Sequence, residues 1–421
     1  MSETAAPRND RPPEIQLRVL SGLGGIPAAA WDLCATGGEM PENSDQRFHI
    51  LDHSYPATLK NATNPFVCHA FLSALEVSGS ATKRTGWAPQ HLLAETVSGD
   101  VLGVAPCYLK SHSQGEYVFD HGWADAYERA GGRYYPKLQV SVPFTPATGP
   151  RLMVKPGPHA QAVKEVLAAG LVALCEQRQA SSVHVTFAPK ADWDLLATRG
   201  FLKRTDQQFH WRNEGYSTFE DFLAALASRK RKAIRRERRE AGDSGITIHP
   251  LTGSDLTEAV WDDFFAFYTD TGSRKWGRPY LTRAFFSLIG EQMADRILLV
   301  MAKRNGRYIA GAINFIGTDA LYGRHWGAIE HHPFLHFELC YYQAIDFAIA
   351  NRLGTVEAGA QGEHKLARGY TPVTTYSSHY IDDPALRRAI ADYLSRERAY
   401  VDAAGRELEG LSPFRKTAET E

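Results

Sequence analysis

The chain runs through the same order of elements twice, and that repetition most limits how it can fold. In the first half, residues 91–109 (HLLAETV-SGD-VLGVAPCYL) read as a strand, a Gly-containing turn and a second strand, and residues 297–316 (ILLVMAK-RNG-RYIAGAINFI) have the same form. Asn305-Gly306 is a strong hairpin signal, because both residues tolerate the positive φ of a tight turn. An aromatic-rich strand candidate follows each hairpin, Tyr117–Phe119 in one half and Leu321–Trp326 in the other. Next comes a helix in each half. In 159–179 the apolar residues Val163, Val166, Leu167, Leu171 and Leu174 fall near helical spacing. In 337–354 Leu339, Tyr342, Ile345, Phe347 and Ile349 do so, with Gly354 expected as C-cap. Each helix leads to a β-rich stretch (181–187 and 354–360), then to a short helix ending in Arg199-Gly200-Phe201 or Arg368-Gly369-Tyr370.

This repetition predicts a mixed α/β (α+β) fold of two lobes, each a mixed central sheet flanked by helices. The expected divisions are a polar tail at 1–14, a first lobe at 15–212, a second at 213–382 that includes a basic helix at 228–241, a C-terminal helix at 383–410, and a tail at 411–421. A length of 421 residues accommodates that plan.

The order of elements resembles the GNAT acetyltransferase fold, and the tandem arrangement resembles the Fem-type peptidyltransferases. The basic run SRKRKAIRRERREAGDSGI (228–246), together with residues 335–372, is similar to the Fem-like predicted N-acyltransferase family named for peptidoglycan biosynthesis or recognition. The resemblance spans roughly 45 to 382. It implies two tandem GNAT-like acyl-CoA N-acyltransferase lobes and transfer of an acyl or aminoacyl group to an amine. One departure stands out. The R/Q-x-x-G-x-G/A loop that holds a pyrophosphate at a helix N-terminus is replaced here by Thr145-Pro146-Ala147-Thr148-Gly149-Pro150 and by His332-Pro333-Phe334-Leu335-His336. The donor is therefore open among acyl-CoA, acyl carrier protein and aminoacyl-tRNA.

Acyl transfer to an amine needs a base, donors for the developing oxyanion, and substrates held close. The fold resemblance directs the search to Tyr322–Tyr370. Glu338, Glu363 and His325, in that order, are the expected bases. Lys365 and Arg368 are expected anion binders, and Gln361, His364, His336, Arg324, Trp326 and Tyr370 expected substrate contacts.

Between Arg229 and Arg239 lie eight basic residues, among them Arg229, Lys230, Lys232, Arg235 and Arg236. In a chain of formal net charge −1 such a cluster is a plausible seat for donor or tRNA phosphates, or else a solvated helix face. Asp120 and His121, expected substrate contacts, are read with Gln208 to Trp211 as lining the cleft between lobes or binding the acceptor, or else as packing the lobes together. The histidines and acids of 325–338 match no metal-ligand spacing, so no metal is expected.

Five scattered cysteines without a CxxC pair argue for a reduced compartment. The polar N-terminus and the lack of a long apolar run predict a cytoplasmic protein without membrane insertion. The acceptor is expected to be a small-molecule or peptide amine. Two other classes stay open: a non-catalytic module that recognises a cell-wall peptide or acyl carrier, and an RNA-binding protein acting through 229–239.

Overall fold

A computed structural model of the chain describes residues 14–37, 46–50, 53–57, 64–276, 279–359 and 362–415. The mixed α/β architecture expected from the repeat is the one observed. The largest sheet has eleven strands. From one edge these are Ile246–Leu251, Ile297–Arg304, Arg307–Ile316, Ala320–Ala328, Thr355–Glu357, Leu202–Arg212, Thr371–Ile381, Ser182–Ala188, Lys137–Val140, Cys107–Lys110 and Trp87–Pro89. A four-stranded sheet holds Ile15–Leu20, His91–Thr96, Val101–Ala105 and Met153–Val154.

The hairpin at Asn305-Gly306 forms as expected, with φ of 50° and 78° at its two turn residues. Gly200 and Gly369, which end the matching tripeptides, have φ of 86° and 88°, a left-handed conformation that glycine adopts without strain. Between the two lobes a local dyad relates the strands that follow them. Leu202 pairs with His379, and His210 pairs with Thr371. Leu202 and Thr371 stand as far apart in sequence as His210 and His379, and as Gly200 and Gly369. The last strand of each half is thus inserted beside the other: Leu202–Arg212 lies between Thr355–Glu357 and Thr371–Ile381, and Thr371–Ile381 continues onto Ser182–Ala188.

Several local expectations are corrected. Tyr117–Phe119 is not a strand; Tyr117 turns the chain with φ of 59°. The second long helix starts at Leu335, widens to a π-turn over Glu338–Tyr342 and ends at Ala350. Gly354 does not cap it, because Arg352 takes the left-handed position (φ 55°) and the Gly354 N–H instead donates to Asp319 O at 2.9 Å. Of the expected N-terminal tail only Glu14 is among the described residues, and it is exposed. The segment expected to begin the C-terminal tail is docked: Phe414 bridges to Leu226, and Pro413 O accepts from Ala227 N at 2.9 Å.

The lobes share a core. Phe66 of the first half meets Phe315 and Tyr322 of the second at ring-centre distances of 5.1 and 5.2 Å, and Phe71 meets Phe285 at 5.6 Å. Helix Glu258–Trp276 crosses strand Ala320–Ala328 so closely that a Cβ on Gly327 would lie 2.1 Å from the Phe267 carbonyl oxygen. Only glycine fits there. Among the described residues no helix is long and apolar enough to cross a membrane.

Candidate active site

Strand Ala320–Ala328 runs parallel to Thr355–Glu357 for only three pairs, Ala320 with Thr355, Leu321 with Val356 and Tyr322 with Glu357. It then continues to Ala328 while that neighbour stops, which opens a fork. A bulge sits at the opening. Ile313 pairs with His325 and Asn314 with Gly323, so Arg324 is the extra residue. A bulge bends its strand and re-aims a side chain, and here the re-aimed side chain is a guanidinium.

Four polar groups gather around the fork. Glu357 stands across from His210 in register, with Oε2 to Nε2 3.9 Å. Burial pushes the Glu357 carboxyl up to about 8, against the opposing pull of Arg324. The same burial, with the charges of Arg212 and Lys365, brings His210 down to about 4. At neutral pH the acid is thus largely protonated and the imidazole neutral, so the contact is polar rather than ionic. Arg324 donates from Nη2 to Phe144 O at 2.7 Å. Lys365 donates from Nζ to Ala358 O at 2.5 Å and to Gly359 O at 3.0 Å, and burial lowers its ammonium to about 8.

The first lobe supplies a wall. Gln208 Nε2 donates to Pro146 O at 2.7 Å, which brings the 143–149 loop against the fork along with the Arg324 bond. Arg151 shapes that loop. Its side chain is fully buried and donates to the carbonyls of Ala147 (2.8 Å), Gly149 (2.9 Å), Pro150 (3.2 Å) and Thr186 (3.0 Å). Thr186 lies one residue past the parallel pairs of the first lobe's own fork, Leu138–Val183 to Val140–Val185. A cation thus caps the first carbonyl past the parallel pairs in each lobe, Arg151 on Thr186 O and Lys365 on Ala358 O.

The expected residues fall into groups. Glu338 does not face the fork. Its carboxylate accepts from Arg238 Nη2 at 3.0 Å and Nε at 3.2 Å and from Gln343 Nε2 at 2.7 Å, while Asp346 holds the same arginine at 2.6 Å. These bonds fasten the basic helix Ser228–Gly242 to the helix beginning at Leu335. Glu338→Gln is accordingly expected to leave turnover within about twofold and to cost about 1–3 kcal/mol in urea unfolding. A drop of a hundredfold in kcat with unchanged stability would return Glu338 to the chemistry.

His325 is a poor base, since burial, with the neighbouring Arg324 charge, lowers its imidazole to about 3, and its ring packs edge-on against Tyr268 at 5.0 Å. Glu363 begins the short helix Glu363–Arg368, and Gln361 lies outside the described residues. His364 accepts or donates at 3.0 Å to the Tyr341 hydroxyl, and Tyr370 packs on Tyr341. Trp326 and His336, 5.2 Å apart, line a cavity of about 640 Å³ at the start of the long helix, with His331, Phe334 and Phe337.

Of the basic residues, Arg235 is paired with Glu220 and Arg236 with Glu240, Lys232 is exposed, and Arg229 and Lys230 line a separate cavity with Arg368. Asp120 does not join the fork. It is buried with Lys137 (2.5 Å) and Tyr134 (2.7 Å) in a first-lobe network that continues through His184 to His379. His121 is exposed and stacks on Phe119. Glu357 was missed at the sequence level, although its signal is there: a lone acid in the apolar stretch Gly354–Gly359.

Two lobes of one plan, with Glu357, His210, Arg324 and Lys365 gathered at the second lobe's fork, define a two-lobed mixed α/β protein. The FemAB-like family model, described as peptidoglycan biosynthesis/recognition, matches residues 24–416, and the chain belongs to that family. Among solved structures it is similar to FemX, at 12% identity over 75% of this chain and 93% of that one, with a TM-score of 0.47. It is also similar to a tandem GNAT protein from the clavulanic acid biosynthesis pathway, at 11% identity over 88% and 99% of the two chains (TM-score 0.46). A third similar structure is L-PGS from Bacillus licheniformis, at 9% over 79% and 98% (TM-score 0.45). No curated protein sequence matches the chain.

Proposed function

We propose that the chain is a cytoplasmic N-acyltransferase of peptidoglycan-related metabolism, working at the second-lobe fork on a peptide or small-molecule amine. The observation that carries this reading is Glu357: a carboxyl raised to about 8 at the point where two parallel strands part. In this reading the ammonium first releases a proton to solvent, the free amine attacks the donor carbonyl, and the ionised Glu357 accepts a second proton from its nitrogen as the new N–C bond forms. The C–O or C–S bond to the donor then breaks, and Glu357 returns the proton to the departing alkoxide or thiolate. A group with pKa near working pH suits both steps. The ammonium of Lys365 and the N–H groups of Ala320–Ala328 beyond Tyr322 would face the developing oxyanion. The donor is an ester or thioester, with acyl-CoA, acyl carrier protein and aminoacyl-tRNA as the three forms to compare.

The test is a mass-spectrometric search for new amide product, using purified protein, each of the three donors and a set of amino-terminated cell-wall peptides between pH 6 and 9. Amide formed with one donor, faster at pH 8.5 than at pH 6.5, is expected. Donor or peptide bound without any product across that range would favour the recognition-module reading. The Arg324–Phe144 bond that closes the fork from the first lobe is the observation on that side.

A further inference from the structure

The cavity of about 290 Å³ between the start of helix Ser228–Gly242 and Arg368 is lined by Arg229, Lys230, Ala233, Ile234, Glu237, Ala367 and Arg368. We infer that it is a phosphate site, which takes a phosphate group of the acyl donor; the donor part of this inference rests on the acyltransferase reading above.

Three independent features converge there. First, the helix begins against its own dipole. Its first turn contains no acid, it reads Ser228-Arg229-Lys230, and the N-cap residue Ala227 gives no side-chain cap. Cations at a helix N-terminus are unfavourable and the first N–H groups lack partners, and an anion seated there relieves both. Second, among the described residues Arg229 and Lys230 have no ion-pair partner, unlike Arg235, Arg236 and Arg238 further along the helix. Third, Arg368 is 6% exposed and commits Nη1 to His364 O at 2.7 Å and Nη2 to Glu237 at 2.8 Å, yet its Nε–H is buried with no hydrogen-bond partner. Arg368 lines the cavity, and a buried guanidinium with a donor left unused calls for an acceptor that the chain itself does not supply.

Glu237 is the one carboxylate on the wall, and it is already bonded to Arg368 and to the Tyr342 hydroxyl. With three cations against it, the lining keeps an excess of positive charge. The place also suits a donor leading to the fork. The Arg368 guanidinium lies 3.5 Å from the Phe337 ring centre, and Phe337 also lines the 640 Å³ cavity with Trp326 and His336. A molecule with its phosphate on Arg229, Lys230 and Arg368 could thus extend past Phe337 into the larger cavity.

The experiment uses the full chain and calorimetric titration with inorganic phosphate, phosphopantetheine and the trinucleotide CCA, at low and moderate salt. Phosphate is expected to bind and to weaken with salt, and Arg229→Ala/Lys230→Ala is expected to bind it about tenfold more weakly. The charge-matched surface variant Arg129→Ala/Arg133→Ala should leave binding unchanged, and circular dichroism should show both variants folded. Tighter binding of phosphopantetheine, or of CCA, than of phosphate, lost in the Arg229/Lys230 variant, identifies the donor as one that carries phosphopantetheine or as a tRNA end. Equal phosphate affinity in wild type and the Arg229/Lys230 variant, an equal loss in the surface variant, or no gain from either larger probe overturns the inference. Phosphate bound here with no acyl transfer from any donor would leave the anion site standing and remove only the acyltransferase reading.

Discussion

Replacing Glu357 by Gln is expected to lower acyl transfer by about a thousandfold while making the protein more stable in alkaline buffer. The two effects share one cause. In the unfolded chain a glutamate ionises near its ordinary value of 4.5, whereas in the fold burial pushes this one to about 8. Below 4.5 the carboxyl is protonated in both states and the substitution is close to neutral. Between the two values the folded chain holds a proton that the unfolded chain has released, so wild-type stability declines as pH rises. Above 8 the buried carboxylate is charged and its full desolvation cost is present. Glutamine is neutral throughout, so the variant's advantage grows from pH 5 to pH 9 and then levels off, on the order of 5 kcal/mol. Thermal melts at pH 5, 7 and 9 check the stability arm, and single-turnover rates check the other. A variant that is inactive but also less stable at pH 9 would mean that Glu357 holds the strands together rather than a proton.

Arg151→Met is the second large change. The side chain donates to four backbone carbonyls from a fully buried position. Methionine fills much of the volume but leaves those acceptors without donors, at a cost of about 3–5 kcal/mol. Activity should suffer as well, although Arg151 touches no expected substrate. The loop it shapes presents Phe144 O to Arg324 and Pro146 O to Gln208. A loosened wall should raise KM for the amine more than it lowers kcat. Urea unfolding and steady-state kinetics on the same preparation separate the two. A loss under 1 kcal/mol, or a fall in kcat alone, would show that the loop keeps its shape without the arginine.

The parts of this molecule that were legible in its sequence are those written locally. The Asn305-Gly306 turn, the apolar spacing of the long helices and the matched Gly200 and Gly369 endings depend on near neighbours, and all formed. The fork could not be read that way. Glu357, His210, Arg324 and Phe144 come from four separate stretches, brought together by pairings such as Glu357 with His210 that no periodicity announces. Glu338 was misleading for the same reason. A carboxylate opening a helix next to an expected reaction centre looks reactive until its partner is known, and that partner, Arg238, lies a hundred residues earlier. Burial decided the remainder. His325 and Glu357 both sit near the fork, but whether a group gains or gives up a proton there depends on water exclusion, which composition does not encode.

The interleaving of Leu202–Arg212 with Thr371–Ile381 has a historical consequence. An ancestor half this long, folding alone, would have had a vacant place in its sheet and an orphan strand at its end. Two such molecules could satisfy each other by mutual exchange about a dyad, so a domain-swapped homodimer is the natural precursor. Once fusion joined the pair into one polypeptide, symmetry no longer bound the copies to identical residues. One copy could then settle on an arginine over its Thr186 carbonyl, while the other met the matching Ala358 carbonyl with a lysine.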